Sequence, residues 1–348
     1  MRVLVTGGAG YIGSHTVVEL VNAGHEVVVV DNLSNSQAAA LERIEEITGR
    51  AVSFTEVDVR DEAGLDRVFA SALGGVGVDS VIHFAGLKAV GESVADPLAY
   101  YDNNVVGTVS LLKAMGRAHV RNLLFSSSAT VYGAPEHMPI REDAPLGALN
   151  PYGQTKLDVE EMLRDLAASD ASWHMASLRY FNPVGAHESG LIGEDPTGVP
   201  MNLVPFVSQV AVGRRDELTI NGSDYPTPDG TCIRDYVHVV DIALGHVAVL
   251  EALADRPGAH AWNLGTGRGS SVLDVVAAFE SVIGRPVATH IGPRRPGDAP
   301  VSVCDPTRAE LDFGWKAVHT LDDMCRDAWR WQSMNPMGFT GPREPSPF

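Results

Sequence analysis

Two side chains in Asn150-Pro151-Tyr152-Gly153-Gln154-Thr155-Lys156 could do chemistry together: a phenol and an ammonium four residues apart, at the start of a predicted helix. Residues at i and i+4 share a helix face. An ammonium held beside a phenol favours the phenolate, so Tyr152, with an ordinary pKa of about 10, becomes usable as a base nearer neutrality. The same spacing also occurs on solvated helices that do no chemistry, so the pair needs company. Phe125-Ser126-Ser127-Ser128-Ala129-Thr130-Val131-Tyr132-Gly133 offers it, as a buried strand that emits hydroxyls at its end. Ser128 there could bond or relay a substrate proton, although serines after a strand are also ordinary turn residues.

The elements that would position these groups begin at the N-terminus. Val3-Leu4-Val5 is a short buried strand running into Thr6-Gly7-Gly8-Ala9-Gly10-Tyr11-Ile12-Gly13, followed by a helix from Ser14 to Ala23 closed by Gly24. A second strand, Val27 to Val30, ends in Asp31. Strand, glycine turn, helix, strand, acid is the order a dinucleotide site demands: glycines let the backbone approach the pyrophosphate, the helix N-terminus offers N–H groups, and the acid accepts from the ribose hydroxyls. Here Gly7, Gly10 and Gly13 run G-x-x-G-x-x-G. Asp31 would repel a 2′-phosphate, which favours NAD over NADP.

Ala51 to Val57, Val81 to Phe84, Asn122 to Ser126 and Met175 to Arg179 are further apolar strands separated by helical stretches. Repeated βα units imply an α/β fold with a Rossmann-like, doubly wound parallel sheet. Asp58 follows its strand and could bind adenine. Ala85-Gly86 would leave room for a cofactor at a strand end, or is simply a tight turn. Beyond residue 181 the chain is rich in Gly, Pro and Asn, which suits loops over the carboxyl edge of the sheet. Helices at Leu203 to Val212 and Val272 to Ile283, with short strands at Leu218 to Ile220 and Pro286 to His290, predict a smaller α/β substrate lobe. Asp235 to Ala254 reads as a helix returning to the first lobe. The expected division is residues 1–181 with about 236–262 as the NAD-binding domain, 182–235 and 263–338 as the substrate lobe, and 339–348 as a loose tail.

Composition narrows the function classes. A formal net charge of −18 over 348 residues argues against nucleic acid or an anionic membrane as a partner. No apolar run reaches the roughly 18 residues of a membrane span, and no secretory leader precedes the glycine turn, so a cytoplasmic protein is expected. Cys232, Cys304 and Cys325 are odd in number and far apart, suggesting neither disulfides nor a metal cluster, and no metal is expected. An anionic ligand would have to be met locally, by Arg214-Arg215, Arg234 or Arg294-Arg295, unless these are solvated surface arginines.

Taken together, the glycine turn, Asp31, the serine run and Tyr152-x-x-x-Lys156 resemble the extended short-chain dehydrogenase/reductase superfamily and, within it, the UDP-glucose (UDP-galactose) 4-epimerases. The resemblance spans nearly the whole length and is sharpest in HFAGLKAVGESV (His83 to Val94), FSSSATVYG (Phe125 to Gly133), LRYFNPVGAH (Leu178 to His187), DYPTPDGT (Asp224 to Thr231), RDYVHV (Arg234 to Val239) and RRPGD (Arg294 to Asp298). It implies that Tyr152 takes the proton from the sugar O4, that Lys156 lowers the tyrosine pKa and bonds the nicotinamide ribose, and that Ser128 bonds the same sugar oxygen. Hydride would leave C4 for NAD and return to the opposite face after the 4-keto sugar has turned about its diphosphate link.

By the same resemblance NAD would contact Gly7, Gly10, Tyr11, Ile12, Gly13, Asp31 and Asn32, then Asp58 and Val59, Phe84, Ala85 and Gly86, Lys88, Asn103 and Ser126, with Tyr180 and Phe181 by the nicotinamide. The UDP-sugar would meet Lys88, Asn182, Asn202, Leu203, Thr219, Asn221, Arg234, Tyr236, Arg295, Asp298 and Ser302. Two positions depart from the pattern. Asn221 stands where an aromatic residue often packs on the uracil, so a hydrogen bond would have to substitute. Ser302 matches a wall of the sugar pocket, where a small side chain implies that UDP-GlcNAc and UDP-GalNAc are accepted as well. A UDP-sugar dehydratase or decarboxylase would share the fold, NAD and the Tyr/Lys pair, but related dehydratases carry an acidic pair where this chain has Ala129-Thr130. A non-catalytic NAD-sensing protein would have no need of Ser128, Tyr152 and Lys156 together. A homodimer, paired through the helix beginning near Tyr152, is implied by analogy.

Overall fold

The computed structural model describes residues 1–196, 198–295 and 297–348. Six strands, Arg2–Thr6 (β1), Glu26–Asp31 (β2), Ser53–Glu56 (β3), Ser80–His83 (β4), Asn122–Ser128 (β5) and His174–Tyr180 (β6), join an edge strand Gly258–Leu264. All pair in parallel, in the order β3-β2-β1-β4-β5-β6 and then the edge strand. The order reverses between β1 and β4, which opens a crevice at the carboxyl ends where ligands bind in such sheets. β1 shows why the sheet must be covered on both sides. Val3 and Val5 belong to one apolar cluster and Leu4 to the other, and all three are wholly buried. Successive side chains leave a strand on opposite faces, so a strand apolar throughout needs helices above and below.

The smaller lobe is built on a third apolar cluster around Phe279, Val207 and Met324. Its helix Val272–Ile283 starts at a capping box of Ser271 and Asp274 and stops at Gly284 in the left-handed region, φ 70°. The helix Leu321–Met334 is framed by a second capping box, Thr320 with Asp323. Each box satisfies two of the backbone N–H groups that a helix start leaves unpaired. Leu218–Asn221 pairs in parallel with Thr289–Gly292, and Ile233–Arg234 lies between Ser270–Ser271 and Val301–Ser302.

The expected helix from Asp235 is corrected at its start. Tyr236–His238 is a strand paired with Asn182–Val184, and the helix runs from Val239 to Ala252. Asp235 is fully buried and accepts from the backbone N–H groups of Thr266, Gly267 and Cys304 and from the Thr266 hydroxyl. That web holds the backbone extended until His238 caps the helix. The edge strand Gly258–Leu264 carries no apolar run, and pairing with β6 rather than local preference makes it a strand. The first helix starts at Tyr11, three residues before the expected Ser14, because Gly10 is its N-cap. All three cysteines are buried and free, and no described helix is long and apolar enough to cross a membrane.

Candidate active site

One cavity of about 770 Å³ runs along the carboxyl edge from the glycine turn into the smaller lobe. At its first end the backbone has no room for side chains. Gly7 has φ +70°, and a Cβ there would stand 2.6 Å from the Ala85 nitrogen, while a Cβ on Gly13 would stand 2.2 Å from the Gly7 carbonyl oxygen. Among the described residues none caps the helix Tyr11–Asn22 with its side chain, and its first turn carries no acid, so its N–H groups and positive dipole end suit a phosphate. Asp31 is fixed by Ala9 N–H on one oxygen and by Leu33 N–H and the Ser36 hydroxyl on the other. Its first oxygen keeps lone pairs for a further donor.

Tyr152 and Lys156 enter the cavity from the helix Pro151–Ser169. Asn150 accepts from Gly153 N–H at 2.9 Å and Pro151 opens the first turn, so the tyrosine is fixed at the helix start. Lys156 is buried, and its ammonium donates to the Ser126 carbonyl at 2.7 Å and lies 5.9 Å from the centre of the Tyr152 ring. Burial pulls the Lys156 pKa down to about 8. Burial also pushes the Tyr152 phenol up, opposed by its hydrogen bond with Ser128. The expected lowering of the tyrosine by the lysine does not appear: desolvation dominates, and the group that opposes it is Ser128. Ser128 Oγ accepts from Thr130 N–H at 3.2 Å and from the Thr130 hydroxyl at 3.0 Å, which turns its own O–H toward the cavity.

The Pro151–Ser169 helix is tied to the sheet by a buried ion pair. Glu160 accepts from Arg179 Nη2 at 2.6 Å and Nε at 2.9 Å, and from the Ser127 hydroxyl at 2.6 Å. On its other side, Asn104 joins three elements: its oxygen accepts from Leu87 N–H and Asn103, and its NH₂ donates to the Leu87 carbonyl and the Thr155 hydroxyl. Asn104 lies in a π-helical turn, Tyr101–Val106, a distortion that frequently marks functional sites.

The structure gathers nearly all the residues that the sequence singled out. Gly7, Gly10, Tyr11, Ile12, Gly13, Asp31, Asn32 and Val59 line the first half of the cavity. Phe84, Ala85, Gly86, Lys88, Asn103, Ser126, Ser128, Tyr152 and Lys156 line its centre, with Tyr180 and Phe181. Asn182, Asn202, Leu203, Thr219, Asn221, Arg234, Tyr236, Arg295 and Asp298 line the far half. Two do not join them. Asp58 is held away by Arg60 at 2.8 Å and by Asn32. Ser302 pairs with Arg234 across two short strands and does not line the cavity. Of the other arginines, Arg215 bonds Gln209 and Arg294 bonds Asp224, both outside the lining.

Sequence reasoning missed Glu194. Its side chain is 7% exposed, and one oxygen accepts from Lys88 Nζ at 2.7 Å and from Asn202 Nδ2 at 2.9 Å. A buried carboxylate thereby joins a side chain of the central cavity to one of the far half. Gly193-Glu194-Asp195-Pro196 falls in the stretch read as loops over the carboxyl edge, but a partner 106 positions away leaves no local trace that would single out the glutamate. Thr130, Asn104 and Phe339 were missed likewise. Phe339 lines the cavity from the C-terminal segment and donates its N–H to Asp195 at 2.9 Å.

A parallel sheet in this strand order, with a glycine turn at its first crossover and an acid closing its second strand, defines a doubly wound dinucleotide-binding protein. The chain belongs to the NAD dependent epimerase/dehydratase family, whose model matches residues 3–265. It is 58% identical to the UDP-glucose 4-epimerase of Bacillus subtilis, over 97% of this chain and 99% of the relative, and 55% identical to that of Yersinia pestis, over 97% and 99%. The UDP-glucose 4-epimerase of Bifidobacterium longum, solved with NAD+ and UDP, superposes with a TM-score of 0.93 at 55% identity, covering 97% of this chain and all of that one.

Proposed function

We propose that this chain is an NAD-dependent epimerase that interconverts UDP-glucose and UDP-galactose by inverting C4 of the hexose. The observation that carries the reading is the single cavity in which the glycine turn, the Ser128/Tyr152/Lys156 group and two arginines all meet. NAD fits the first half: a Gly7 that tolerates no Cβ against Ala85, a Gly13 that tolerates none against the Gly7 carbonyl, a helix N-terminus without a side-chain cap, and Asp31 are what a pyrophosphate and an adenosine ribose require. When bound, NAD accepts the C4 hydride and returns it, so no net redox occurs.

The chain's own residues would do the rest. Tyr152 takes the O4 proton and gives it back, Ser128 donates to the same oxygen, and Lys156, charged below about pH 8, offsets the burial that opposes a phenolate. Arg234 and Arg295 bind the diphosphate, Asn182 and Asn202 flank it, and Leu203, Thr219 and Tyr236 enclose the uridine. Firm holding of uridine diphosphate with loose holding of the hexose lets the 4-keto sugar turn over between oxidation and reduction. Ala129-Thr130 offers no acid for a departing hydroxyl, which favours epimerisation over dehydration. Ser302 lies outside the cavity lining, so its small side chain gives N-acetylhexosamines no support and the proposal is confined to the hexoses.

A homodimer in the cytoplasm is also proposed. The dimer is supported by exposed Val94, Leu98 and Val106 on short helical turns packed beside the Pro151–Ser169 helix, apolar side chains that a second copy would cover. The deciding experiment is purification without added cofactor, detection of retained NAD, and conversion of UDP-galactose by wild type and Tyr152→Phe. Retained NAD with a loss of about 10²–10⁴-fold in turnover is expected. Undiminished conversion would overturn the mechanism.

A further inference from the structure

Arg294 and Arg295 are neighbours in sequence with opposite fates. Arg294 donates from Nε to Asp224 Oδ1 at 2.7 Å and from Nη2 to the Asp224 carbonyl, and its guanidinium lies 4.2 Å from the centre of the Tyr225 ring. Its charge is matched by a carboxylate outside the cavity. Arg295 turns inward and lines the cavity. What aims it is the residue that breaks the expected pattern. Asn221 ends the strand Leu218–Asn221 and is registered against Gly292, so its side chain stands beside the segment that leads to Arg295. With its amide oriented so that the oxygen faces the guanidinium, Asn221 accepts from Arg295 Nε at 3.1 Å and from Nη2 at 3.2 Å.

We infer that Asn221 is a positioning residue for Arg295 and acts on the nucleotide diphosphate through that arginine, not on the uracil. The inference rests on reading the cavity as a UDP-sugar site. A guanidinium has five N–H donors in a fixed fork, so two occupied on the Asn221 oxygen leave three for phosphate oxygens. The acceptor is neutral, so it orients the fork without cancelling its charge. Arg234 is held differently, with Nη2 3.4 Å from Asp298 Oδ1 and Nη1 on the Ile233 and Ala299 carbonyls. The cavity therefore faces the diphosphate with one arginine tempered by a carboxylate and one held by a neutral oxygen. The Asn221 oxygen, engaged on Arg295, is not the acceptor for a base edge.

The test uses NAD-loaded protein and measures dissociation constants for UDP and for uridine in wild type, Asn221→Ala, Asn221→Ser, Asn221→Asp, Arg295→Ala and the double variant Asn221→Ala/Arg295→Ala. Asn221→Ala should weaken UDP about tenfold, the scale of a hydrogen bond to a charged group, and leave uridine within about twofold. Asn221→Ser, which keeps a neutral acceptor, should lose less. Asn221→Asp, which keeps the geometry and cancels the charge, should lose more than alanine does. The double variant should bind UDP as Arg295→Ala does, because there is nothing left to position. Equal weakening of uridine and UDP, or an undiminished effect of Asn221→Ala without Arg295, would overturn the inference. A wild type that retains NAD but binds no UDP would overturn the reading beneath it, and that arm tells the two failures apart.

Discussion

Replacing Lys156 by methionine separates the lysine's chemistry from its cost. The side chain is buried, with its ammonium on the Ser126 carbonyl at 2.7 Å and 4.8 Å from the centre of the Phe125 ring, and burial lowers its pKa from 10.5 to about 8. A gap of roughly 2.5 units at about 1.4 kcal/mol each corresponds to about 3 kcal/mol of folding free energy lost by carrying the charge inside. Between pH 8 and 10.5 the unfolded chain binds more protons at this residue than the native one, so stability rises with pH there. The cost is present in full below pH 8 and relieved above 10.5. Lys156→Met has no such group. Urea unfolding of both proteins at pH 7 and near pH 10 should show wild type gaining on the variant by up to about 3 kcal/mol. At pH 7 the variant should be about as stable as wild type, because the relieved charge burial offsets a Ser126 carbonyl left unpaired at about 1–3 kcal/mol. Its turnover should nonetheless fall to background, and wild-type kcat/KM should decline as pH rises through about 8. Parallel stability curves from pH 7 to 10 would refute the claim that Lys156 is held charged against its burial.

Three further outcomes are expected. Gly7→Ala meets both a φ of +70° and a contact of 2.6 Å with the Ala85 nitrogen, so the purified variant should retain no NAD, read by absorbance of the denatured supernatant. Glu160→Gln breaks a pair in which both side chains are 2% exposed and leaves Arg179 buried with its charge unmatched, so unfolding free energy should fall by about 3–5 kcal/mol. Glu194→Ala removes the acceptor shared by Lys88 and Asn202, so NAD retention and UDP-sugar affinity should fall together; a fall in only one would mean that Glu194 does not link the two halves of the cavity.

What the sequence could reveal divides along a physical line. The β1, glycine turn and first helix are legible because each signal lies within a few residues of the next: apolar strand, positive-φ glycine, N-cap, helix. Tyr152 and Lys156 gain meaning for the same reason, through one turn of helix and the Asn150 cap. The edge strand Gly258–Leu264 and the strand Tyr236–His238 are illegible, since pairing with β6 in one case and the Asp235 web in the other imposes the extended backbone from far along the chain. Resemblance marked the far half of the cavity by position, and position carries no information on which side chains aim the others. Asn221 sits where an aromatic side chain is expected on the base, yet its oxygen faces a guanidinium 74 positions later in the chain. Glu194 had no role assigned, yet it joins Lys88 to Asn202. Both residues act on another side chain across the cavity, and what they do is fixed by partners that only the folded chain supplies. A motif records which residues face a ligand; it does not record which residues aim them, and for Arg295 and Lys88 the aiming groups are Asn221 in the smaller lobe and Glu194 in the loop beside it.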